Sequence, residues 1–428
     1  MINNEFLYQL FSKSTGLYTD TRKPLKDGIF LSLKGPSFNG NEYALKAIKQ
    51  GASLAIIDDY SLIKKSDKLF YVKNTYNTLK FLANQHRKKL KCPVLAITGS
   101  NGKTTTKELI KSVFQKEFKT YATIGNLNNH IGVPLTILNT PLSAEFLIIE
   151  MGANHLNEIK ELCLIAEPSH GYITNFGKAH IEGFGSEEAI IRGKSELYNY
   201  LFNSNGIIFV NIENKNQIKE LIEKPFISFG PNKKSDYKIS YLNSKRKLEL
   251  NFKGLNFVST LYGEYNLPNI AAAIIIGNYF NIPLEKIQLG IKNYVSSNNR
   301  SQLIKLKKYN IVLDAYNANP SSMSIAIKCF HGIYPCESIL ILGDMLELGK
   351  YSKQGHEEII TLAKSLSFNR IITVGENFKK TSMNISNLDK FSSTYDLIDH
   401  IKKSPIKHKN IFIKGSRSFS LEKILDFI

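Results

Sequence analysis

The residues best suited to chemistry form one run, Thr98-Gly99-Ser100-Asn101-Gly102-Lys103-Thr104-Thr105-Thr106. Gly99 and Gly102 let the backbone fold back and aim its N–H groups inward, which is a cradle for phosphate oxygens. Lys103 can reach a β- or γ-phosphate, and the Thr104 hydroxyl can ligate Mg2+. The usual P-loop has a further glycine five residues before Gly102; Ile97 stands there, which leaves the shorter Gly-x-x-Gly-Lys-Thr. An ordinary βα turn with an exposed lysine is the competing reading. The flanks favour the cradle. Residues 94–97 read as a buried strand, and Leu109, Ile110, Val113, Phe114 and Phe118 recur at helical spacing. A helix beginning at the loop adds roughly half a positive charge where a phosphate would sit.

Other residues gather around this loop. Glu150 ends a strand expected over 146–149, and a carboxylate there can hold Mg2+ directly or through water. His180 follows a strand expected over 171–174 through Gly177-Lys178-Ala179. Ligands bind at the carboxyl ends of parallel strands, so His180 belongs near the same crevice, in a metal role or a structural one. Lys194 sits four residues after Ile190 on a helix expected over 186–202, among Ile191, Leu197, Tyr198 and Leu201. A lysine on an apolar stripe must snorkel, pair or lose its charge. Asp20-Thr21-Arg22 precedes a strand expected over 28–33 and suits an anionic or uracil-like group, or a solvated turn.

The elements that must position these groups alternate. A helix over 43–50 and a strand over 54–57 complete a small N-terminal α/β unit, and the basic run 87–91 before Cys92-Pro93 marks its end. Strands over 94–97, 146–149, 171–174 and 207–210 alternate with helices over 156–166 and 186–202, which implies a parallel sheet covered on both faces. Short alternating strands over 226–262 read as an antiparallel annex, followed by a buried helix over 267–280. After a polar joint near 296–300, strands over 311–313, 339–342, 371–374 and 411–413 alternate with helices starting at Pro320 and near 357–366. The expected fold is therefore α/β with three domains. They are a small N-terminal substrate domain (1–91), a central P-loop-type ATPase domain (92–297) and a C-terminal Rossmann-like domain (298–428).

Composition narrows the partners. A net charge of +19 attracts polyphosphates as well as nucleic acids. The lysines are dispersed, Trp is absent and no aromatic-and-basic RNA-binding pattern is seen, so no nucleic acid is expected. Cys92, Cys163, Cys329 and Cys336 have irregular spacing and read as free thiols. No stretch is long enough to span a bilayer and no apolar signal core opens the chain, so a cytoplasmic protein is expected.

Several stretches together carry a family resemblance. They are Gly-x-x-Gly-Lys-Thr-Thr, Gly125-Asn126-Leu127-Asn128-Asn129-His130-Ile131-Gly132-Val133-Pro134 and Glu150-Met151-Gly152-Ala153-Asn154-His155. With Asp314-Ala315-Tyr316-Asn317-Ala318-Asn319-Pro320, Leu342-Gly343-Asp344-Met345-Leu346-Glu347-Leu348-Gly349 and Lys414-Gly415-Ser416-Arg417-Ser418, the chain resembles the Mur ligases over essentially its whole length. The last three stretches are similar to those of ligases that add D-alanyl-D-alanine to a UDP-N-acetylmuramoyl tripeptide. The resemblance implies ATP and two Mg2+ ions, and a monomer is expected.

By similarity, Thr98, Gly99, Ser100, Asn101, Gly102, Lys103, Thr104 and Thr105 bind ATP, with Asn269 at adenine and Arg300 and Asp314 closing from the C-terminal side. Thr104 and Glu150 are implied at one Mg2+; His180 and Lys194, the latter as a carbamate, at a second. Asp20, Thr21 and Arg22 are implied in the UDP site. Asn126, Asn128 and Asn129 lie by the acyl substrate and the transferred phosphate; Lys103, Lys194, His180 and Asn129 form the catalytic set. Lys414 and Arg417 are candidates for the dipeptide carboxylate, because a guanidinium can clamp it with two hydrogen bonds. The chain departs from the family pattern at Tyr265 (usually histidine), Asn299 and Ser195 (usually glycine), Ala315 (usually serine), and Phe38-Asn39-Gly40-Asn41. Two alternatives are a folylpolyglutamate-type amide ligase and a non-catalytic nucleotide switch. Retention of His180, Lys194 and Arg300 disfavours the switch, which has no second substrate to activate.

Overall fold

The computed structural model describes residues 4–242, 247–383 and 385–428. It is an α/β protein with three main sheets. The N-terminal sheet runs in the order Leu17–Tyr18, Ile29–Leu31, Leu54–Ile57, Leu69–Tyr71, all parallel. The central sheet has seven strands, ordered Tyr237–Lys238, Ile227–Gly230, Ile207–Asn211, His170–Ile173, Val94–Thr98, Phe146–Glu150, Thr120–Ala122. The C-terminal sheet has six, ordered Gln302–Leu306, Tyr309–Asp314, Asn410–Lys414, Ser338–Gly343, Arg370–Val374, Leu388–Phe391, antiparallel only at its first pair.

The central strands are apolar on both sides because both faces of the sheet are covered. Leu95 and Ile97 enter one core with Leu109, Ile110, Val113 and Phe114 of the helix Lys103–Phe114. Val94 and Ala96, offset by one residue, enter the other core with Leu197, Tyr198 and Leu201. The helix Leu267–Tyr279 has Ile270 to Gly277 buried and lies against the loop helix, as an all-apolar helix must. The loop helix stops at Phe114, so Phe118 lies beyond it, although its ring still packs on the same core.

Two expectations change. Only part of 226–262 is antiparallel: Ser240–Leu242, Leu248–Phe252 and Leu255–Ser259 pair that way, while Ile227–Gly230 and Tyr237–Lys238 extend the central parallel sheet. Ile227–Gly230 is almost wholly buried, and parallel pairing with Ile207–Asn211 satisfies its backbone. A helix not foreseen in the sequence, Thr75–Lys89, is capped by Asn74, whose side chain accepts from Asn77 N. It fastens the N-terminal unit to the central one. Tyr76 and Lys80 donate to Glu161 Oε1 at 2.9 and 3.0 Å, and Arg87 Nε donates to the Ala166 carbonyl at 2.7 Å.

Candidate active site

The loop strand Val94–Thr98 lies between Phe146–Glu150 and His170–Ile173; the chain leaves it toward Thr120–Ala122 on one side and leaves His170–Ile173 toward Ile207–Asn211 on the other. That reversal opens a crevice above the carboxyl ends of the strands. A cleft of about 820 Å³ occupies it, lined by the glycine loop, the 126–130 segment, Glu150, His180 and the C-terminal unit.

The loop is stitched to the neighbouring strand end. Ser100 N donates to Asn175 O, Asn101 N to Asn175 Oδ1, and Thr174 Oγ1 to Asn101 O at 2.6 Å. Thr98 Oγ1 donates to Met151 O on the other side. Gly99 adopts φ +135°, and a Cβ there would meet Thr174 Oγ1 at 2.0 Å. Gly102, at φ +82°, turns the chain into the helix that starts at Lys103. Lys103 Nζ arches over the loop to the Gly99 and Ser100 carbonyls, at 2.6 and 3.2 Å. Burial lowers the pKa of its ammonium, with Glu150 pulling the other way.

Glu150 Oε1 accepts from Thr104 Oγ1 at 3.2 Å and Asn128 Nδ2 at 2.8 Å, whereas Oε2 is buried with no hydrogen-bond partner. Among the described residues no group of three or more His, Cys, Asp or Glu forms an all-protein cage. Mg2+ rarely needs one: a carboxylate or two and substrate phosphates usually suffice. The orphaned Glu150 oxygen beside the Thr104 hydroxyl fits that donor set.

His180 and Lys194 are placed differently. His180, at φ +57°, caps a short helix Ile181–Phe184, and its Nδ1 lies 2.5 Å from Glu347 Oε2 in poor alignment for a hydrogen bond. The contact lowers the Glu347 carboxyl pKa. Lys194 is 0% exposed; its Nζ donates to Ala153 O at 3.0 Å and lies 5.1 Å from the Phe184 ring centre. The snorkelling alternative is thereby excluded. Burial first, and the Lys103 charge second, hold the Lys194 pKa well below its usual range. His180 and Lys194 are thus engaged by different groups, Glu347 Oε2 and Ala153 O.

The C-terminal unit supplies the far wall. Arg300 stacks on the Tyr316 ring at 3.6 Å, with Arg417 5.4 Å from the same ring centre. Asp314 accepts from Ser301 N at 3.1 Å and pairs with Lys414 Nζ at 2.6 Å. Lys414, 3% exposed, also donates to Asn317 O and is thus committed to this network. Contacts cross the cleft directly. Asn319 Nδ2 donates to Asn101 Oδ1 at 2.8 Å, and Lys178 N to Ser321 Oγ at 3.0 Å.

The cleft therefore brings together Ser100, Asn101, Gly102, Lys103, Thr104, Thr105, Asn126, Asn128, Asn129, Glu150, His180, Asn269, Arg300, Asp314 and Lys414. Thr98, Gly99 and Lys194 are absent from its lining. Asn129 Oδ1 accepts from Ile131 N and Gly132 N and so shapes its segment. Asn269 accepts from Thr106 Oγ1 and donates to Asn266, filling the space beside Gly102. Asp20, Thr21, Arg22 and Arg417 lie outside this lining. Arg22 clamps Asp20 and holds its carboxyl down to about 2, while Thr21 is buried. Sequence reasoning assigned no role to Tyr316, Asn319, Glu347 or Lys107. The first three stood inside recognised stretches; Lys107 could have been found as a lysine one helical turn after Lys103.

Comparison with known proteins agrees with this architecture. Residues 97–277 match the Mur ligase middle domain, and 299–416 match the Mur ligase glutamate ligase domain. The chain is 32% identical to the UDP-N-acetylmuramoyl-tripeptide--D-alanyl-D-alanine ligase of Bacillus subtilis, over 96% of this chain and 92% of that protein. The crystal structure of MurF from Acinetobacter baumannii superposes with a TM-score of 0.84 at 27% identity, covering 96% and 92% of the two chains. The MurF ligase of Thermotoga maritima, solved in complex with ADP, shares the fold with a TM-score of 0.82 at 24% identity, covering 96% of each chain. A glycine loop, a strand-end carboxylate and a C-terminal wall that closes on both thus occur here in a chain that belongs to the Mur ligase family.

Proposed function

We propose that this protein is an ATP-dependent amide ligase that joins D-alanyl-D-alanine to a UDP-N-acetylmuramoyl tripeptide, in the cytoplasmic synthesis of peptidoglycan precursors. The observation that carries the reading is the single cleft in which the glycine loop and Glu150 face Arg300 and Asp314. Full-length relatives with that activity in their names support the choice of substrates.

A carboxylate and an amine do not condense unaided at neutral pH. The tripeptide carboxylate attacks the γ-phosphorus of ATP and releases ADP to give an acyl phosphate; the dipeptide amine then attacks the acyl carbon, loses a proton and expels inorganic phosphate. The protein's part is positioning and charge stabilisation. The loop N–H groups and Lys103 hold the phosphates, while Arg300, fixed on Tyr316, adds charge from the opposite wall. Thr104 and Glu150 would hold Mg2+, which supplies further neutralisation of the phosphates when bound. Asn128 and Asn129 orient the transferred group. Asp314 and Lys414 form one unit, so Lys414 acts by steadying Asp314, and Arg417 is the freer candidate for the dipeptide carboxylate. Asn269 supports the loop from beneath and is assigned to the adenine side. Asp20, Thr21 and Arg22 are assigned to the UDP group on the N-terminal unit. Carbamylation of Lys194 would make a second metal site with His180. A monomer with domains at 1–91, 92–297 and 298–428 completes the reading.

Phosphate release from ATP in the presence of the UDP-muramoyl tripeptide tests it. Release should rise strongly on adding D-alanyl-D-alanine and barely with single amino acids. Equal stimulation by L-glutamate would overturn the assignment in favour of a folylpolyglutamate-type ligase.

A further inference from the structure

The Lys107 side chain is 0% exposed, and none of the steps above uses it. It sits one turn beyond Lys103 on the inward side of the loop helix. Its Nζ donates to Thr123 O at 2.6 Å, pairs with Glu108 Oε1 at 2.9 Å and lies 3.8 Å from Glu150 Oε2. Thr123 is tied to the same carboxylate residue, because its Oγ1 accepts from Glu150 N at 2.9 Å. Glu150 Oε1 has two donors and Oε2 has none. Lys107 therefore approaches the oxygen left free, too far for a hydrogen bond and near enough for charge to act. A lysine taken wholly out of water is costly unless its charge is balanced.

We propose that Lys107 is a positioning residue that serves as a built-in counterion to Glu150 and thereby sets how tightly the cleft holds its divalent cation. The inference rests on the reading of Glu150 as a Mg2+ ligand. In the metal-free cleft, Lys107 offsets a carboxylate that would otherwise be buried with one oxygen unpaired. When Mg2+ is bound, the lysine and the metal are like charges on one carboxylate, so Lys107 weakens the metal's hold and keeps it exchangeable. Its bond to Thr123 fixes the lysine at this distance, and Thr104 and Asn128 fix the carboxylate.

Thermal unfolding of the full chain separates this role from simple support of Thr123. Wild type and Lys107→Met are melted in EDTA, in ADP with EDTA, and in ADP across a Mg2+ titration. The variant should melt below wild type in EDTA, and its half-saturating Mg2+ with ADP should fall, by about ten-fold for one charge removed at this range. A half-saturation that is unchanged or higher would overturn the proposal. In EDTA the double variant Lys107→Met with Glu150→Gln should melt above Lys107→Met alone, because a neutral amide needs no counterion. This arm also decides the case if the single variant does not fold. An equal or lower melting point for the double variant would mean that Lys107 only supports Thr123, and would overturn the proposal. A wild type with no Mg2+-dependent response to ADP would instead overturn the nucleotide site itself, and the counterion role with it. A normal wild-type response with an unaltered variant removes the counterion role alone.

Discussion

Lys103 and Lys194 are both lysines with burial acting on their charge, yet they face different fates. The Lys103 ammonium is bonded to two neutral carbonyls of its own loop. A phosphate is a stronger partner than a carbonyl, since it brings a full opposite charge to the ammonium. Lys103→Ala is therefore expected to lower kcat by about 10²–10³-fold, the scale of one lost donor to developing charge, with the melting temperature little changed. Lys194 is held toward its neutral form by burial and by the Lys103 charge. A neutral amine adds CO₂ and releases a proton, giving a carbamate whose sign suits a second Mg2+. Lys194→Ala should be nearly inactive and regain part of its turnover with short-chain carboxylic acids that fill the gap. A fully active Lys194→Ala enzyme would end the carbamate idea.

At the scale of elements, the strand His170–Ile173 begins with an ionisable group between aromatic rings. The His170 ring lies 4.8 Å from Phe280 and 6.3 Å from Phe209, and burial pushes its pKa down to about 4. The unfolded chain takes up this proton near 6.5, the folded chain only near 4. Below pH 6.5 the unfolded state binds more protons, so folding stability falls as pH drops through that window, by on the order of 2–3 kcal/mol. Above it the residue contributes no pH dependence. Urea unfolding at pH 7, 5.5 and 4.5 should show this loss, and His170→Phe should flatten it. A variant with the same acid slope as wild type would place the sensitivity in another buried group, such as His86.

The whole molecule is two walls around one cleft. The N-terminal unit is bonded to the central one through Thr75–Lys89, whereas the C-terminal unit meets it across the cleft through the polar contacts of Asn319, Ser321 and Glu347 and through apolar packing around Tyr262. Joints of the second kind open readily. Closure would also exclude water from a labile acyl phosphate. X-ray scattering should show a larger radius of gyration for the free protein than with nucleotide and UDP-substrate; an unchanged profile would count against closure. Asn319→Ala removes the contact to Asn101 and also the N-cap that accepts from Ser322 N, so it should raise the KM for ATP about three- to ten-fold, the worth of a single hydrogen bond, and lower the melting temperature.

The sequence by itself determined the local geometry and the chemical vocabulary. The apolar run at 94–97 and the spacing of Leu109, Ile110, Val113 and Phe114 encode a strand and a helix, because a strand covered on both faces is a short continuous apolar run and burial on a helix stripe repeats every 3.6 residues. Glycine at 99 and 102 encodes the turn, because both positions have positive φ. Periodicity is weaker where elements are polar or short: Thr75–Lys89 has four basic residues in its last turn, and Gln302–Leu306 and Leu388–Phe391 have no fully buried residue. Those elements emerged only with their packing partners. Which faces meet is a long-range matter that no local repeat specifies. Only the tertiary structure decided that Lys194 turns inward to Ala153, that Glu347 reaches His180, and that Asp314 and Lys414, a hundred residues apart, pair in the cleft that the glycine loop also lines. The physical reason is that a side chain's charge state and partner are set by what desolvates it. That is a property of the assembled cleft rather than of the residues beside it in the chain.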